Sequence, residues 1–204
     1  MVAAGVLISG AGTNLQAIID RIGAGRLDCS LRVVISNRPA APGLARAQAA
    51  GVPTRVIEHG HYARREDFDR AVVEVLQGAR VELVLLAGFD RLLTPVLLKA
   101  FPHRIMNVHP ALLPAFKGLH AQRQALEYGV KFSGCTVHLV DENLDAGPIL
   151  AQSIVPVRDD DTSESLSARI LIEEHRIYTD AVRLLLSGNY RIEGRRVIAL
   201  RQQP

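Results

Sequence analysis

The 204-residue sequence contains little cysteine, few aromatic residues and no long hydrophobic run. Its two cysteines, Cys29 and Cys135, do not make a disulfide framework, so we expect a reducing compartment. Aromatic residues make up 4% of the chain and tryptophan is absent, which argues against base-stacking surfaces for nucleic acid. The N-terminus has no signal-peptide pattern, and no run is long enough to span a membrane. The sequence therefore predicts a cytoplasmic protein.

The chain also has only a small excess of charge of one sign. The formal net charge is +3, and the basic residues are mostly arginine, with lysine only at Lys99, Lys117 and Lys131. Such a mild charge suits an anionic small substrate better than a nucleic-acid surface. Hydrophobic residues make up 48% of the chain, which is enough for a large core, and we expect one domain over residues 1–204.

The order of predicted elements is that of an α/β protein. In the first half of the chain, apolar runs typical of strands alternate with segments of helical periodicity, which predicts a doubly wound, mostly parallel sheet. Residues 134–140 and 149–157 are two predicted strands with no helix between them, so we expect an antiparallel addition. A long helix over 163–187 and a terminal hairpin over 191–198 follow.

A glycine loop follows the first predicted strand. Its pattern, Gly10-x-Gly12-x-x-Leu15, lacks the third glycine of a dinucleotide fingerprint, and no acidic residue ends the second strand. An NAD enzyme is therefore disfavoured, although Arg38 leaves an opening for the 2′-phosphate of NADP. The segment Gly12-Thr13-Asn14 at a helix N-terminus is a candidate phosphate cradle. The alternative is a tight turn in which Thr13 or Asn14 caps the helix.

Polar side chains gather where the fifth predicted strand ends. Asn107 and His109 are two residues apart, so both point to one face of that strand, and Pro110 makes the chain turn. Asp145 lies in a later turn and offers a carboxylate. An amide, an imidazole and a carboxylate can polarise a carbonyl group and manage a proton. The alternative is that His109 is a structural hydrogen-bonding residue.

Two further features allow both a structural and a functional interpretation. The segment Asp90-Arg91-Leu92-Leu93 borders the same sheet edge as His109, where its backbone can hydrogen-bond a flat polar ring; otherwise it is a strand-end turn. His109, His120, His138 and Asp145 can be grouped as metal ligands, but no pair has a helical zinc spacing. We therefore predict no metal site, and His138 is equally explained as a hydrogen-bonded core residue.

Taken together and in this order, the segments resemble the phosphoribosylglycinamide formyltransferase family. The resemblance covers nearly the whole chain and is carried by residues 8–18 and 86–91, Asn107-Val108-His109-Pro110, Leu112-Leu113-Pro114, Gly118-Leu119-His120, residues 134–138 and 141–148, and Glu174-His175. It implies a single α/β domain with a seven-stranded, mostly parallel sheet. It also implies transfer of a formyl group from 10-formyltetrahydrofolate to the amine of glycinamide ribonucleotide, without a metal, by a monomer or homodimer.

The resemblance also implies a role for individual residues. The family's catalytic residues correspond to Asn107, His109 and Asp145. Its substrate contacts correspond to Gly12, Thr13 and Asn14 for the phosphate and to Glu174 for the ribose. Its folate contacts correspond to Arg65, Asp90, Arg91, Leu92, Leu93, Asn107 and the loop from Val140 and Asp141 to Asp145.

Three positions depart from the family pattern. Asp90 stands where methionine is usual, Ala111 replaces a frequent serine, and Leu171 stands where some members carry glutamine or lysine near the substrate phosphate. Three rival functions stay open. A methionyl-tRNA formyltransferase normally has a C-terminal tRNA-binding domain, and a formyltetrahydrofolate hydrolase normally has an N-terminal regulatory domain; we expect neither here. The third is a non-catalytic NADP-binding module.

Overall fold

The computed structural model describes residues 1–200, which form six α-helices, nine β-strands and one short 3₁₀ helix. The chain divides into two compact units, one from Met1 to Asn107 and one from Val108 onward. Strand β5 (Ile105–His109) crosses the boundary. None of the helices within residues 1–200 is long and apolar enough to cross a membrane.

The first unit is the predicted alternation of strands and helices. Its strands lie in the order β3-β2-β1-β4-β5, and every neighbouring pair is parallel. Its elements are β1 (Val2–Ile8), α1 (Thr13–Gly23), β2 (Cys29–Ser36), α2 (Gly43–Ala49), β3 (Thr54–Val56), α3 (Arg65–Gly78), β4 (Leu83–Leu86) and α4 (Pro95–Ala100). A 3₁₀ helix at His59–His61 was not predicted.

Burial of the strands in the core of the first unit explains why their sequences are continuous apolar runs. All four residues of β4 are buried, as are the last five of β1, because a parallel strand covered on both faces has no solvent side. Leu15 and Ile18 of α1 are also fully buried. The parallel strands bring their carboxyl ends to one edge, and the loops that follow β1, β2 and β4 therefore meet there.

The second unit contains the antiparallel addition. Strands β6 (Phe132–Leu139) and β7 (Ile149–Pro156) pair antiparallel, as predicted. The other elements are α5 (Ala121–Tyr128), α6 (Ser163–Ser187), β8 (Tyr190–Glu193) and β9 (Arg196–Ala199). Helix α6 packs against both β6 and β7. Thr162 caps α6 by accepting a hydrogen bond from Ser165 N–H, and the Ser165 hydroxyl bonds back to Thr162 N–H.

The structure corrects two expectations. The described residues contain nine strands instead of seven, because the predicted terminal hairpin joins the sheet through parallel pairing of β9 with β7. Neither Thr13 nor Asn14 caps α1. The helix begins at Thr13, and its N-cap is Gly12 in the left-handed conformation, without a side-chain hydrogen bond. The last four residues of the predicted 1–204 domain lie outside the described part of the chain.

Candidate active site

The glycine loop of the first unit is held in shape by contacts with α2. Gly12 has a φ of 68°, a value that favours glycine, and a Cβ atom at this position would lie 2.7 Å from Gly43 Cα. Gly43 N–H donates to Gly10 O (3.0 Å), and Arg46 Nε donates to Ala11 O (2.9 Å). The predicted phosphate cradle is therefore a loop of fixed backbone geometry at the start of α1.

Asp90 is the centre of a polar network at the carboxyl edge of the first unit. Its carboxylate accepts hydrogen bonds from Ser9 Oγ (2.8 Å) and Asn37 Nδ2 (2.9 Å), and it forms an ion pair with Arg38. Asp90 N–H also donates to Ser9 Oγ (2.9 Å). The network exists because β1, β2 and β4 are neighbours whose carboxyl ends coincide.

The network explains how an aspartate is accommodated at position 90, where the family usually has methionine. Partial burial acts to raise the pKa of Asp90, but the hydrogen bonds from Ser9 and Asn37, together with the Arg38 charge, hold it below its usual value. The negative charge is thus balanced within the unit. Because Arg38 is paired with Asp90, its charge is also less available to an NADP 2′-phosphate, which weakens that alternative.

The remaining predicted folate residues of the first unit differ in exposure. Leu92 is 56% exposed, whereas Arg91 and Leu93 are half-buried. Arg65 is exposed and is the first residue of α3. Asn107 is half-buried on β5, where it pairs with Leu86 of β4. An exposed leucine next to backbone groups is suited to a flat, partly apolar ligand.

In the second unit, the structure brings together His109 and Asp145, which are far apart in the sequence. His109 is 4% exposed, and its Nδ1 lies 3.4 Å from Asp145 Oδ2. Its other ring nitrogen, Nε2, lies 2.8 Å from Phe116 O. Both ring nitrogens of His109 therefore lie near an oxygen atom that can accept a hydrogen bond.

Asp145 lies between two buried histidines and a backbone amide. Its Oδ2 accepts a hydrogen bond from Gly118 N–H (2.8 Å), and its Oδ1 lies 3.7 Å from His138 Nε2. Burial lowers the pKa of His138, against the opposing effects of its bond with Leu139 O and of the Asp145 charge. Asp145 itself has a φ of 45°, a left-handed conformation that aspartate tolerates better than most residues.

The chain that follows His109 is fastened to β6 by Thr136. The Thr136 hydroxyl donates to Ala111 O (2.7 Å) and accepts a hydrogen bond from Leu113 N–H (3.0 Å). It also accepts one from Gln152 Nε2 (3.0 Å) on β7. Thr136 was not among the predicted site residues, although it lies two residues before His138 and on the same face of β6.

The other predicted residues of the second unit are Glu174, Val140 and Asp141. Glu174 is 8% exposed on α6. Burial, with a smaller effect of the Glu174 charge, raises the pKa of Tyr178 well above its usual value and that of Cys135 to about 12. Asp141 Oδ1 accepts a hydrogen bond from Asn143 N–H (2.8 Å) and so shapes its own turn, and Val140 is half-buried.

Of the residues grouped as possible metal ligands, His109 and His138 both lie beside Asp145. His120 is the N-cap of α5, with a φ of 58°. Within residues 1–200, no group of three or more His, Cys, Asp or Glu side chains is arranged to hold a metal ion.

Comparison with known proteins identifies the family. The family model described as Formyl transferase matches residues 3–182. The trifunctional purine biosynthetic protein adenosine-3 of Homo sapiens is 46% identical over 187 residues, which are 92% of this chain and 18% of that protein. This chain thus spans less than a fifth of that relative.

Other relatives match over most of their length. The phosphoribosylglycinamide formyltransferase of Escherichia coli (strain K12) is 39% identical over 187 residues, covering 92% of this chain and 88% of the relative. The crystal structure of glycinamide ribonucleotide transformylase 1 from Symbiobacterium toebii is 55% identical, with a TM-score of 0.97 over 98% of this chain and 95% of that one. The α/β fold with a mostly parallel sheet is therefore confirmed, and the chain belongs to the formyl transferase family, among the phosphoribosylglycinamide formyltransferases.

Proposed function

We propose that this protein transfers the formyl group of 10-formyltetrahydrofolate to the amino group of N1-(5-phospho-D-ribosyl)glycinamide in purine biosynthesis. The products are formylglycinamide ribonucleotide and tetrahydrofolate. The observation that carries the proposal is the buried contact of His109 with Asp145 in a chain of this family. An imidazole held by a carboxylate is suited to proton transfer at a carbonyl group.

The reaction needs no covalent intermediate with the protein. The nucleophile is a primary amine, and such α-amino groups ordinarily titrate near about pH 8, so a useful fraction is neutral near pH 7. Its attack on the formyl carbon creates an oxyanion, and in the proposal Asn107 N–H and His109 N–H stabilise that charge. In the structure, His109 Nε2 faces Phe116 O. In the proposal, the Phe116 carbonyl therefore moves away from Nε2 when this nitrogen binds a substrate oxygen.

Asp145 has two tasks in the proposed reaction. It orients His109 through Nδ1, and its negative charge stabilises the imidazolium form. The attacking nitrogen must lose a proton while the folate nitrogen gains one. We propose that Asp145 and His109 relay this proton through a water molecule. The amine nitrogen and the folate nitrogen then do not need to contact the carboxylate directly.

The binding residues are proposed as follows from the resemblance. Gly12, Thr13 and Asn14 bind the phosphate at the N-terminus of α1, where backbone N–H groups and the helix dipole favour an anion. Glu174, as a buried carboxylate, accepts hydrogen bonds from the ribose hydroxyls. The folate contacts Arg65, Asp90, Arg91, Leu92, Leu93, Asn107, Val140 and Asp141. We further propose a cytoplasmic single domain, monomeric or homodimeric, without a nucleic-acid or membrane partner.

The proposal is tested by incubating the purified protein with 10-formyltetrahydrofolate and three acceptors in parallel. The acceptors are glycinamide ribonucleotide, methionyl-tRNA and water alone, and the products are identified by mass spectrometry. We expect formylation of glycinamide ribonucleotide only. Release of formate with water alone, at the rate seen with glycinamide ribonucleotide, would indicate a formyltetrahydrofolate hydrolase. Formylation of methionyl-tRNA would indicate a methionyl-tRNA formyltransferase. Either result contradicts the proposal.

A further inference from the structure

Two carbonyl groups of the glycine loop, those of Gly10 and Ala11, accept hydrogen bonds from α2, whereas the Gly12 carbonyl accepts one from Gln16 N–H of α1. Gly10 O accepts a hydrogen bond from Gly43 N–H (3.0 Å), and Ala11 O accepts one from Arg46 Nε (2.9 Å). Both donors belong to α2. Two consecutive peptide units of the loop are therefore held with their oxygen atoms on the α2 side.

This orientation determines where the amide hydrogens of the loop point. In a trans peptide unit the C=O and the following N–H point in opposite directions. With the Gly10 and Ala11 carbonyls held toward α2, the N–H groups of Ala11 and Gly12 point away from it, to the open side of the loop. Successive N–H groups on one side of a turn form a concave anion-binding site.

Arg46 is the part of this arrangement that a single substitution can remove. The Gly43 contact comes from backbone, but the Ala11 carbonyl is held by a side chain, which also donates from Nη1 to Gln16 Oε1 (3.4 Å). Without Arg46, the peptide unit between Ala11 and Gly12 can rotate and turn its oxygen toward the open side. An oxygen there would repel an anion that the N–H attracts.

We propose that Arg46 is a positioning residue for substrate phosphate: it fixes the Ala11–Gly12 peptide so that its N–H, and not its oxygen, faces the phosphate group. The inference rests on the proposed function for the identity of the substrate. It adds a residue that neither the sequence motifs nor the family correspondence had selected. Its guanidinium also places a positive charge beside the loop, which favours the same anion.

The close packing of α2 against the loop explains why an arginine of this helix reaches Ala11. A Cβ atom at Gly43 would lie 2.7 Å from Ile8 Cδ1 and 3.1 Å from Gly10 O, so only glycine lets α2 approach so near. The Arg46 side chain reaches the loop, where its Nε donates a hydrogen bond to Ala11 O (2.9 Å).

The test compares two substrates with the full-length protein. In Arg46→Gln, we expect the KM for glycinamide ribonucleotide to rise by roughly tenfold to a hundredfold, as for loss of one hydrogen bond to a charged group, with kcat and the folate KM nearly unchanged. The same variant should process the phosphate-free glycinamide riboside as slowly as the wild type does. Arg46→Lys keeps the charge but has no Nε–H at that position, so it should show the same pattern with smaller amplitude.

Matched controls separate this role from a general loss of structure. Arg70→Gln removes an exposed arginine that pairs with Asp67 on α3 and should leave every constant unchanged. Equal losses with ribonucleotide and riboside would make Arg46 merely structural and overturn the inference, as would an unchanged ribonucleotide KM in both Arg46 variants. Calorimetric binding of the ribonucleotide without folate separates the two proposals. If the wild type binds it but transfers no formyl group, the proposed function fails, while weaker binding by Arg46→Gln still supports the positioning role.

Discussion

At the scale of single residues, Asp145 is the most informative position. Asp145→Asn keeps an oxygen for the Gly118 N–H bond and tolerates the left-handed backbone, so the turn should survive. It loses the negative charge that faces His109. We expect kcat to fall by about 10²–10⁴, the usual contribution of acid–base catalysis, while both KM values change little.

Steady-state kinetics with both substrates would measure this effect, and circular dichroism would establish that the variant is folded. A suitable control is Asp159→Asn, because Asp159 is an exposed aspartate that pairs with Lys131 far along the chain from the His109 turn. Turnover close to wild type in Asp145→Asn would reduce Asp145 to a turn residue and leave Asn107 and His109 to carry the chemistry.

Asp90 should contribute to stability in a pH-dependent way. Replacing it with asparagine puts an amide where Arg38 now meets a carboxylate, and we expect a loss of about 1–3 kcal/mol near pH 7. Because the pKa of Asp90 is lower in the folded state, its contribution is fully present above the usual value of 3.8 and is lost progressively as pH falls from there through the lower folded-state pKa. Urea unfolding of both proteins at about pH 7 and about pH 3 measures this.

The matched control for Asp90 is Asp67→Asn. Asp67 is also paired with an arginine, Arg70, but both side chains are well exposed, so the loss should not exceed about 1 kcal/mol. A difference between wild type and Asp90→Asn that is equally large at both pH values would show that the carboxylate charge is not what stabilises the network.

At the scale of elements, the turn between β6 and β7 depends on a glycine. A Cβ atom at Gly147 would lie 1.9 Å from Leu139 O, so this turn can pack on the end of β6 only without a side chain there. In Gly147→Ala, the turn that contains Asp145 must shift. We expect a loss of about 1–3 kcal/mol in the free energy of unfolding, together with a fall in kcat.

Thermal unfolding and steady-state kinetics of Gly147→Ala would be compared with those of Gly23→Ala. A Cβ atom at Gly23, the last residue of α1, meets nothing within 4 Å, so this control should be neutral or stabilising by up to about 1 kcal/mol. If Gly147→Ala behaved like the control, the position of Asp145 would not depend on this close contact.

At the scale of the whole molecule, each unit contains one buried thiol that titrates at high pH. Burial, with the nearby Asp28 charge, raises the pKa of Cys29 to about 11; burial and the Glu174 charge raise that of Cys135 to about 12. Above about pH 9 the unfolded chain loses these protons while the folded protein keeps them. The free energy of unfolding should therefore decrease as pH rises from about 9 toward 11.

Urea unfolding at about pH 8 and about pH 10 would measure the decrease. The double variant Cys29→Ala, Cys135→Ala should show a smaller decrease; some should remain, because the pKa of buried Tyr178 is also raised. An identical decrease in both proteins would show that other groups cause the alkaline loss of stability.

Much of the fold could be predicted from local sequence. The bounds of α5, Ala121–Tyr128, follow from helical periodicity that stops at Gly129, which has the left-handed φ of 79° expected after a helix. The N-cap of α1 was mispredicted for an equally local reason. Thr13 and Asn14 are good capping residues by type, but the contact of Gly12 with α2 determines the backbone there.

The sequence by itself determined the order of strands and helices and the residue types at the site, because periodicity, glycine and proline act over a few neighbouring positions. Only the tertiary structure decided which groups contact each site residue. Asp90 meets Ser9 and Asn37 because distant strands are neighbours in the sheet. The groups that face His109 and Asp145 include the carbonyl of Phe116 and the amide of Gly118. Every residue type except proline carries both backbone groups, so no sequence pattern can single them out.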